Sequence, residues 1–142
     1  MIVEPYLSFE GRCEEAIEFY KKAIGAEVQF LMRYKEAPPG ACGPGGVTPG
    51  TENKVMHSTV KIGDSVVLMS DGRNTGNASF QGITLTISAG SDADAKRYFD
   101  ALSAGGQVQM PLAQTFFATS FGMLADKFGV GWIVLAGNEK KP

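Results

Sequence analysis

The sequence predicts an α+β fold of two βαβββ modules that form a curved mixed sheet around a concave cavity. Three observations carry this prediction. Two helical stripes of similar composition each end at glycine; two β-rich hairpins turn on short polar segments; and the order of elements is the same in both halves of the chain.

The first module opens with a β-rich run, Tyr6 to Phe9. Ala16, Phe19, Tyr20, Ala23 and Ile24 then fall at i, i+3, i+4, i+7 and i+8, the spacing of one buried helical face, and Gly25 stops the helix. Glu27 to Leu31 reads as a strand. The hairpin is Val55 to Ile62, a turn at Gly63-Asp64, and Ser65 to Met69. The second module repeats this order. Ile83 to Ile87 is its first strand, and Ser91 caps a helix with acid in its first turn and a stripe of Ala95, Tyr98, Phe99 and Leu102, closed by Gly105-Gly106. Gln107 to Met110 follows, then a hairpin of Phe121 to Leu124 and Val130 to Leu135 around Asp126-Lys127-Phe128-Gly129. From helices to hairpins, the offset between copies falls from about eighty residues to sixty-six, because the first copy carries an insertion, Ala37 to Asn53, rich in Pro and Gly. Such an insertion belongs at a rim, where it is either a lid over a cavity or an idle surface loop.

A chain of 142 residues is one domain by size (1-142), with modules at about 1-72 and 80-138. It is long enough to bury roughly two-thirds of its unfolded surface without a disulfide or metal. With 13 basic and 15 acidic residues and no long basic run, it has no electrostatic footprint for nucleic acid or an anionic membrane. The start shows no basic and apolar leader pattern, and no run of apolar residues is long enough to span a bilayer, so a cytoplasmic protein is expected.

His57 is the chain's one histidine, which limits nucleophile–base chemistry, and no Gly-x-Ser-x-Gly elbow is present. Strand parity sets Val55, His57 and Thr59 apart from Met56, Ser58 and Val60, so His57 need not enter the hydrophobic layer. Facing the concavity, it would be a proton donor or acceptor, or a hydrogen-bond partner for a ligand; otherwise it is an ordinary surface or packed histidine. Cys13 and Cys42 have no close spacing. Cys13 opens the first helix, whose positive end lowers a thiol pKa, although a small packed residue is the commoner role there. The Asp126 turn reads as structural, while Phe121 and Trp132 suit either core or pocket. Phe116 and Phe117, as neighbours on a strand, would point to opposite faces, one into the cavity. Gly43-Pro44-Gly45-Gly46 sits among prolines rather than between a strand and a helix, and no nucleotide cofactor is indicated.

Pro5-Tyr6-Leu7-Ser8-Phe9, Cys13 to Tyr20, Val55-Met56-His57, Ile62-Gly63-Asp64, Leu68-Met69-Ser70-Asp71 and Thr115 to Trp132 together resemble the PhnB-like branch of the glyoxalase/bleomycin resistance/dioxygenase, or vicinal oxygen chelate, superfamily. The resemblance spans nearly the whole chain and implies paired βαβββ modules and dimers with a cavity in each half. In most enzymes of that superfamily four strands supply ligands to a divalent metal. The windows here are Glu4-Pro5-Tyr6, Val67-Leu68-Met69, Gln81-Gly82-Ile83 and Trp132-Ile133-Val134, two of which offer no metal donor. The expectation is no metal and no cofactor. Relatives often carry a ubiquinone methyltransferase label, yet S-adenosylmethionine usually needs a nucleotide-type cradle, and this chain lacks the glycine signature for one.

The expected function is binding of a small, partly apolar molecule, lined by Tyr6, His57, Ser70, Phe117, Phe121, Met123 and Trp132, with His57 as the candidate catalytic group. One alternative is a metal-dependent lyase, isomerase or dioxygenase, which would require Glu4, His57 and Gln81 to converge. Another is a drug-sequestering resistance protein. The aromatics near one rim and the open strand edges predict a two-fold homodimer, with modules paired within or across subunits.

Overall fold

The structure, a computed structural model, describes residues 1–41 and 47–137. Cys42 and the Gly43–Gly46 run of the insertion lie outside the described residues. The chain divides into two compact units, Met1–Ala78 and Ser79–Pro142.

In the first unit β1 (Tyr6–Ser8) leads to α1 (Cys13–Ile24), β2 (Glu27–Arg33), a single 3-10 turn at Tyr34–Glu36, β3 (Val55–Ile62) and β4 (Ser65–Ser70). The sheet order is β1-β4-β3-β2, with β1 parallel to β4 and the other pairs antiparallel. The second unit repeats this as β5 (Thr84–Ala89), α2 (Asp92–Ser103), β6 (Gln107–Ala113), β7 (Ser120–Ala125) and β8 (Gly131–Ala136), in the order β5-β8-β7-β6. The duplication extends to a defect. The register of β2 slips between Val28 and Phe30, and that of β6 between Val108 and Met110, so Gln29 and Gln109 bulge at the same place in each copy.

Both helices start and stop as their sequences dictate, with one exception. Gly25 adopts φ 70, and the Gly25 and Ala26 amides donate to the Lys21 and Tyr20 carbonyls, closing α1. The Ser91 hydroxyl accepts from the Asp94 amide at 3.1 Å and opens α2. The start of α1 has no side-chain cap of its own. Its orphan donors are met from the far end of β4, where Asp71 Oδ1 accepts from the Cys13 amide at 2.8 Å and the Gly11 amide at 3.1 Å.

Each helix packs on one face of its own sheet. In the first unit the core contains Leu7, Ile17, Tyr20, Val60, Val67 and Met69; in the second it contains Ala95, Phe99, Leu102, Leu124, Trp132 and Val134. Gly122 lets α2 approach closely, since a Cβ there would lie 2.6 Å from Phe99. The opposite face of each sheet carries no helix of its unit. Among the described residues no helix is long and apolar enough to cross a membrane.

Candidate functional site

Strand alternation decides what the helix-free face of the first unit presents. In β3, Ser58 and Val60 are buried toward α1, whereas His57 and Thr59 are part-exposed. Register places Phe30 beside Thr59, Thr59 beside Leu68, and Leu68 beside Tyr6, forming one row across the sheet. Met32 pairs with His57 in the next row.

Onto this surface the Tyr6 and His57 rings stack, with centroids 5.7 Å apart and planes 27° from parallel, and Phe30 lies tilted 6.2 Å from His57. The Tyr6 hydroxyl and His57 Nδ1 are 3.2 Å apart, a hydrogen bond whose donor depends on the imidazole tautomer. If the phenol donates, Nε2 carries the ring proton; if Nδ1–H donates, Nε2 is a free base. In either tautomer Nε2 is the ring nitrogen left to meet a ligand. Tyr6 is 48% exposed and Phe30 46%, which is high for rings on an ordered sheet. Ser70 belongs to the same strand parity but is 3% exposed, and its hydroxyl accepts from the Gly72 amide at 3.0 Å. It closes the strand end as much as it lines the face.

The second unit places Phe121 and Met123 on its helix-free side, and Phe117 meets Phe121 edge-on at 5.0 Å. Two expectations need correction here. Trp132 does not line this face: it is 2% exposed, on the strand parity of the core residues Val134 and Ala136. Its indole N–H donates to Asp126 Oδ2 at 2.9 Å. Asp126 also accepts from the Phe128 and Val130 amides, so the acid of the turn satisfies the one polar atom of a buried tryptophan. Phe116 and Phe117 are not neighbours on a strand, so alternation does not set their directions. They precede β7 in a turn held by Thr115, whose hydroxyl accepts from the Phe117 and Ala118 amides, and their rings meet edge-on at 5.1 Å.

Sequence reasoning missed two joining carboxylates as structural groups, Asp71, which is buried, and Asp92, which is exposed. Asp71 Oδ2 also accepts from the Val55 amide at 2.7 Å, so one carboxylate joins the starts of α1 and β3 to the end of β4. In the second unit the same joint is made from the helix side, where Asp92 Oδ1 accepts from the Thr119 and Ser120 hydroxyls, both at 2.6 Å. These bonds, Ser120's foremost, hold Asp92 below the usual carboxylate range. The one available signal was the lack of a capping side chain before α1.

Cys13 is fully buried, and its thiol is pushed up to about 12 by burial first and by nearby Asp71 second, which outweighs any helix-end effect. A cavity of about 330 Å³ beside it is lined by Arg12, Glu14, Glu15, Asn53, Lys54 and Asp71 among others. These groups are engaged with one another and their neighbours: Arg12 pairs with Glu15, Arg33 binds Glu14 through two nitrogens, and the Lys54 ammonium donates to the Gly11 carbonyl.

The donor set does not fit the superfamily's metal. Glu4 and Gln81 are exposed just before β1 and β5, and the β4 and β8 windows present only Val67, Leu68, Met69, Trp132, Ile133 and Val134, several of them core residues. No group of three or more His, Cys, Asp or Glu side chains suited to a metal occurs among the described residues.

The family model described as 3-demethylubiquinone-9 3-methyltransferase matches residues 2–135. Protein YjdN of Escherichia coli strain K12 is 38% identical over 140 residues, covering 94% of each chain. The solved structure of PhnB protein from Bacillus cereus superposes with a TM-score of 0.76 at 27% identity, covering 96% of this chain and 99% of that one. A glyoxylase/bleomycin resistance protein/dioxygenase domain from Frankia sp. EAN1pec, at 15% identity and TM-score 0.66 over 99% of this chain and 94% of its own, shares the fold. The duplicated βαβββ units and these likenesses agree: the chain belongs to the PhnB-like, 3-demethylubiquinone-9 3-methyltransferase family, and its fold is that of a glyoxylase/bleomycin resistance protein/dioxygenase domain.

Proposed function

We propose that this protein binds a small, partly apolar molecule on the helix-free face of its first unit, with Tyr6 and His57 as the recognising pair and Ser70 at its margin. The observation that carries the reading is the Tyr6–His57 hydrogen bond and stack, set on a part-exposed face and leaving Nε2 open. Rings held in place by each other lose little freedom when a ligand covers them, which favours binding. His57 is the group positioned to give or take a proton, its tautomer set through Tyr6. Phe117, Phe121 and Met123 give the second unit an apolar helix-free face that we assign to ligand contact as well.

A thermal-shift screen of metabolites and antibiotics tests this reading. A ligand at a hundred times its Kd stabilises the native state by about 2.7 kcal/mol. We expect hits whose stabilisation is lost in His57→Ala and reduced in Tyr6→Phe; hits that stabilise both variants like the parent would refute the proposal. Turnover of a hit that disappears in His57→Ala identifies an enzyme, whereas binding without turnover identifies a sequestering protein.

The same proposal includes a two-fold dimer in the cytoplasm. Phe116 is 99% exposed, Val3 89% and Ile2 81%, more apolar surface than a small monomer usually shows. The free, buried thiol of Cys13 suits a reducing compartment. Light scattering is expected to give about twice the 15.1 kDa chain mass; a value near one chain at micromolar concentration refutes the dimer.

A further inference from the structure

We infer that the ligand of the first unit's helix-free face is a planar aromatic compound bearing an anionic oxygen, a carboxylate or an ionised phenol. The inference rests on the binding reading above and adds the chemical class.

Two features of the face select that class. The first is its aromatic floor. The Tyr6 and Phe30 ring centroids lie 5.7 Å and 6.2 Å from that of His57, and Tyr6 and Phe30 keep nearly half their surface open. A flat π-system laid on such rings gains offset or edge contacts that a saturated ring of equal area does not. The second is the charge beside it. Lys61 follows His57 and Thr59 on the same parity of β3 and is part-exposed. Its ammonium makes no hydrogen bond or ion pair among the described residues, although Glu27 stands opposite it in register. His57 and Lys61 lie four residues apart on one strand, about 13 Å between Cα atoms at the usual rise, with the Phe30–Thr59–Leu68–Tyr6 row between them. A ring over that row has His57 Nε2 at one end and a cation at the other. Within the paired stretches of β1 to β4 the one carboxylate is Glu27; Glu4 lies two residues before Tyr6, outside the paired stretch.

The chain's single histidine provides the readout, because the Cε1 proton of His57 is the only such signal in a proton spectrum. Naphthoate, its fully saturated decalin counterpart and neutral methyl naphthoate are titrated into the full chain. We expect naphthoate to move the His57 signal saturably and to bind at least about fivefold more tightly than the decalin acid, as aromatic pairing energies imply. Phe30→Leu, an exposed edge-strand change with little folding risk, should remove most of that preference. Lys61→Gln should weaken naphthoate about threefold, the scale of an exposed ion pair, and leave the methyl ester unchanged. Equal affinity for the flat and saturated acids, no response to naphthoate, or a Lys61→Gln effect equal on acid and ester would each overturn the inference. The binding face itself fails on a different result: screening hits indifferent to His57→Ala.

Discussion

Replacing Asp71 should unfasten the first unit more than any loss of apolar area at that position would. The carboxylate is 1% exposed and accepts from three backbone amides: Cys13 at 2.8 Å, Gly11 at 3.1 Å and Val55 at 2.7 Å. The bonds to Cys13 and Val55 are fully buried, so truncation leaves two donors without water, at about 1.5–3 kcal/mol for each bond to a charged group. The Gly11 amide is part-buried and recovers hydration. Asp71→Ala is therefore expected to cost about 4 kcal/mol, a large share of the 5–15 kcal/mol typical of a domain. Asp71→Asn retains one acceptor oxygen but turns an N–H toward an amide donor, and should cost about 2 kcal/mol. Urea unfolding followed by circular dichroism measures both, with the midpoint falling and the slope unchanged. If Asp71→Ala lies within about 1 kcal/mol of the parent, the carboxylate is not what joins α1, β3 and β4, and the reasoning fails.

Other consequences can be checked in the same way. Gly122→Ala places a Cβ 2.6 Å from Phe99 and 3.0 Å from the Leu112 backbone, so it should cost about 1–3 kcal/mol by overpacking; Gly131→Ala, with 3.3 Å to the Thr84 hydroxyl as its closest contact, should cost less in the same melts. Cys13 should resist iodoacetamide in the native protein at mildly alkaline pH and react only after unfolding, because its thiol is buried and pushed up to about 12; rapid labelling of the Cys13 peptide would contradict this. Glu14 is held below its usual value near 4.5, chiefly by Arg33, so its contribution is present above that value and lost as pH falls through the lowered one. Since the pair is solvent-exposed, Glu14→Gln should cost less than about 1 kcal/mol at neutral pH and flatten the acid limb of a stability–pH profile; an unchanged limb would refute the assignment.

The fold was legible because its signals are local and occur twice. The stripe from Ala16 to Ile24, the Gly25 stop, the Ser91 cap and the two turns each follow from a few neighbouring residues, and strand parity alone separated His57 from Ser58 and Val60. The errors arose where a distant partner decides a side chain's setting. Trp132 reads as either core or pocket until Asp126 is seen to hold its indole N–H, six residues earlier across the hairpin turn. Phe116 and Phe117 are adjacent residues of a Thr115-bound turn rather than of a strand, so alternation does not apply to them. Asp71 could not be read as the cap of α1, because 58 residues separate it from Cys13. The Tyr6–His57 bond spans 51 residues, and only the register of β1 on β4 and β4 on β3 brings the two rings to one face.

The most direct test of the central claim is a crystal structure of the protein with a thermal-shift hit bound. The ligand is expected against the Tyr6 and His57 rings, with a polar atom within hydrogen-bond distance of His57 Nε2. A ligand seated elsewhere, with the Tyr6–His57 pair open to solvent, would contradict the account.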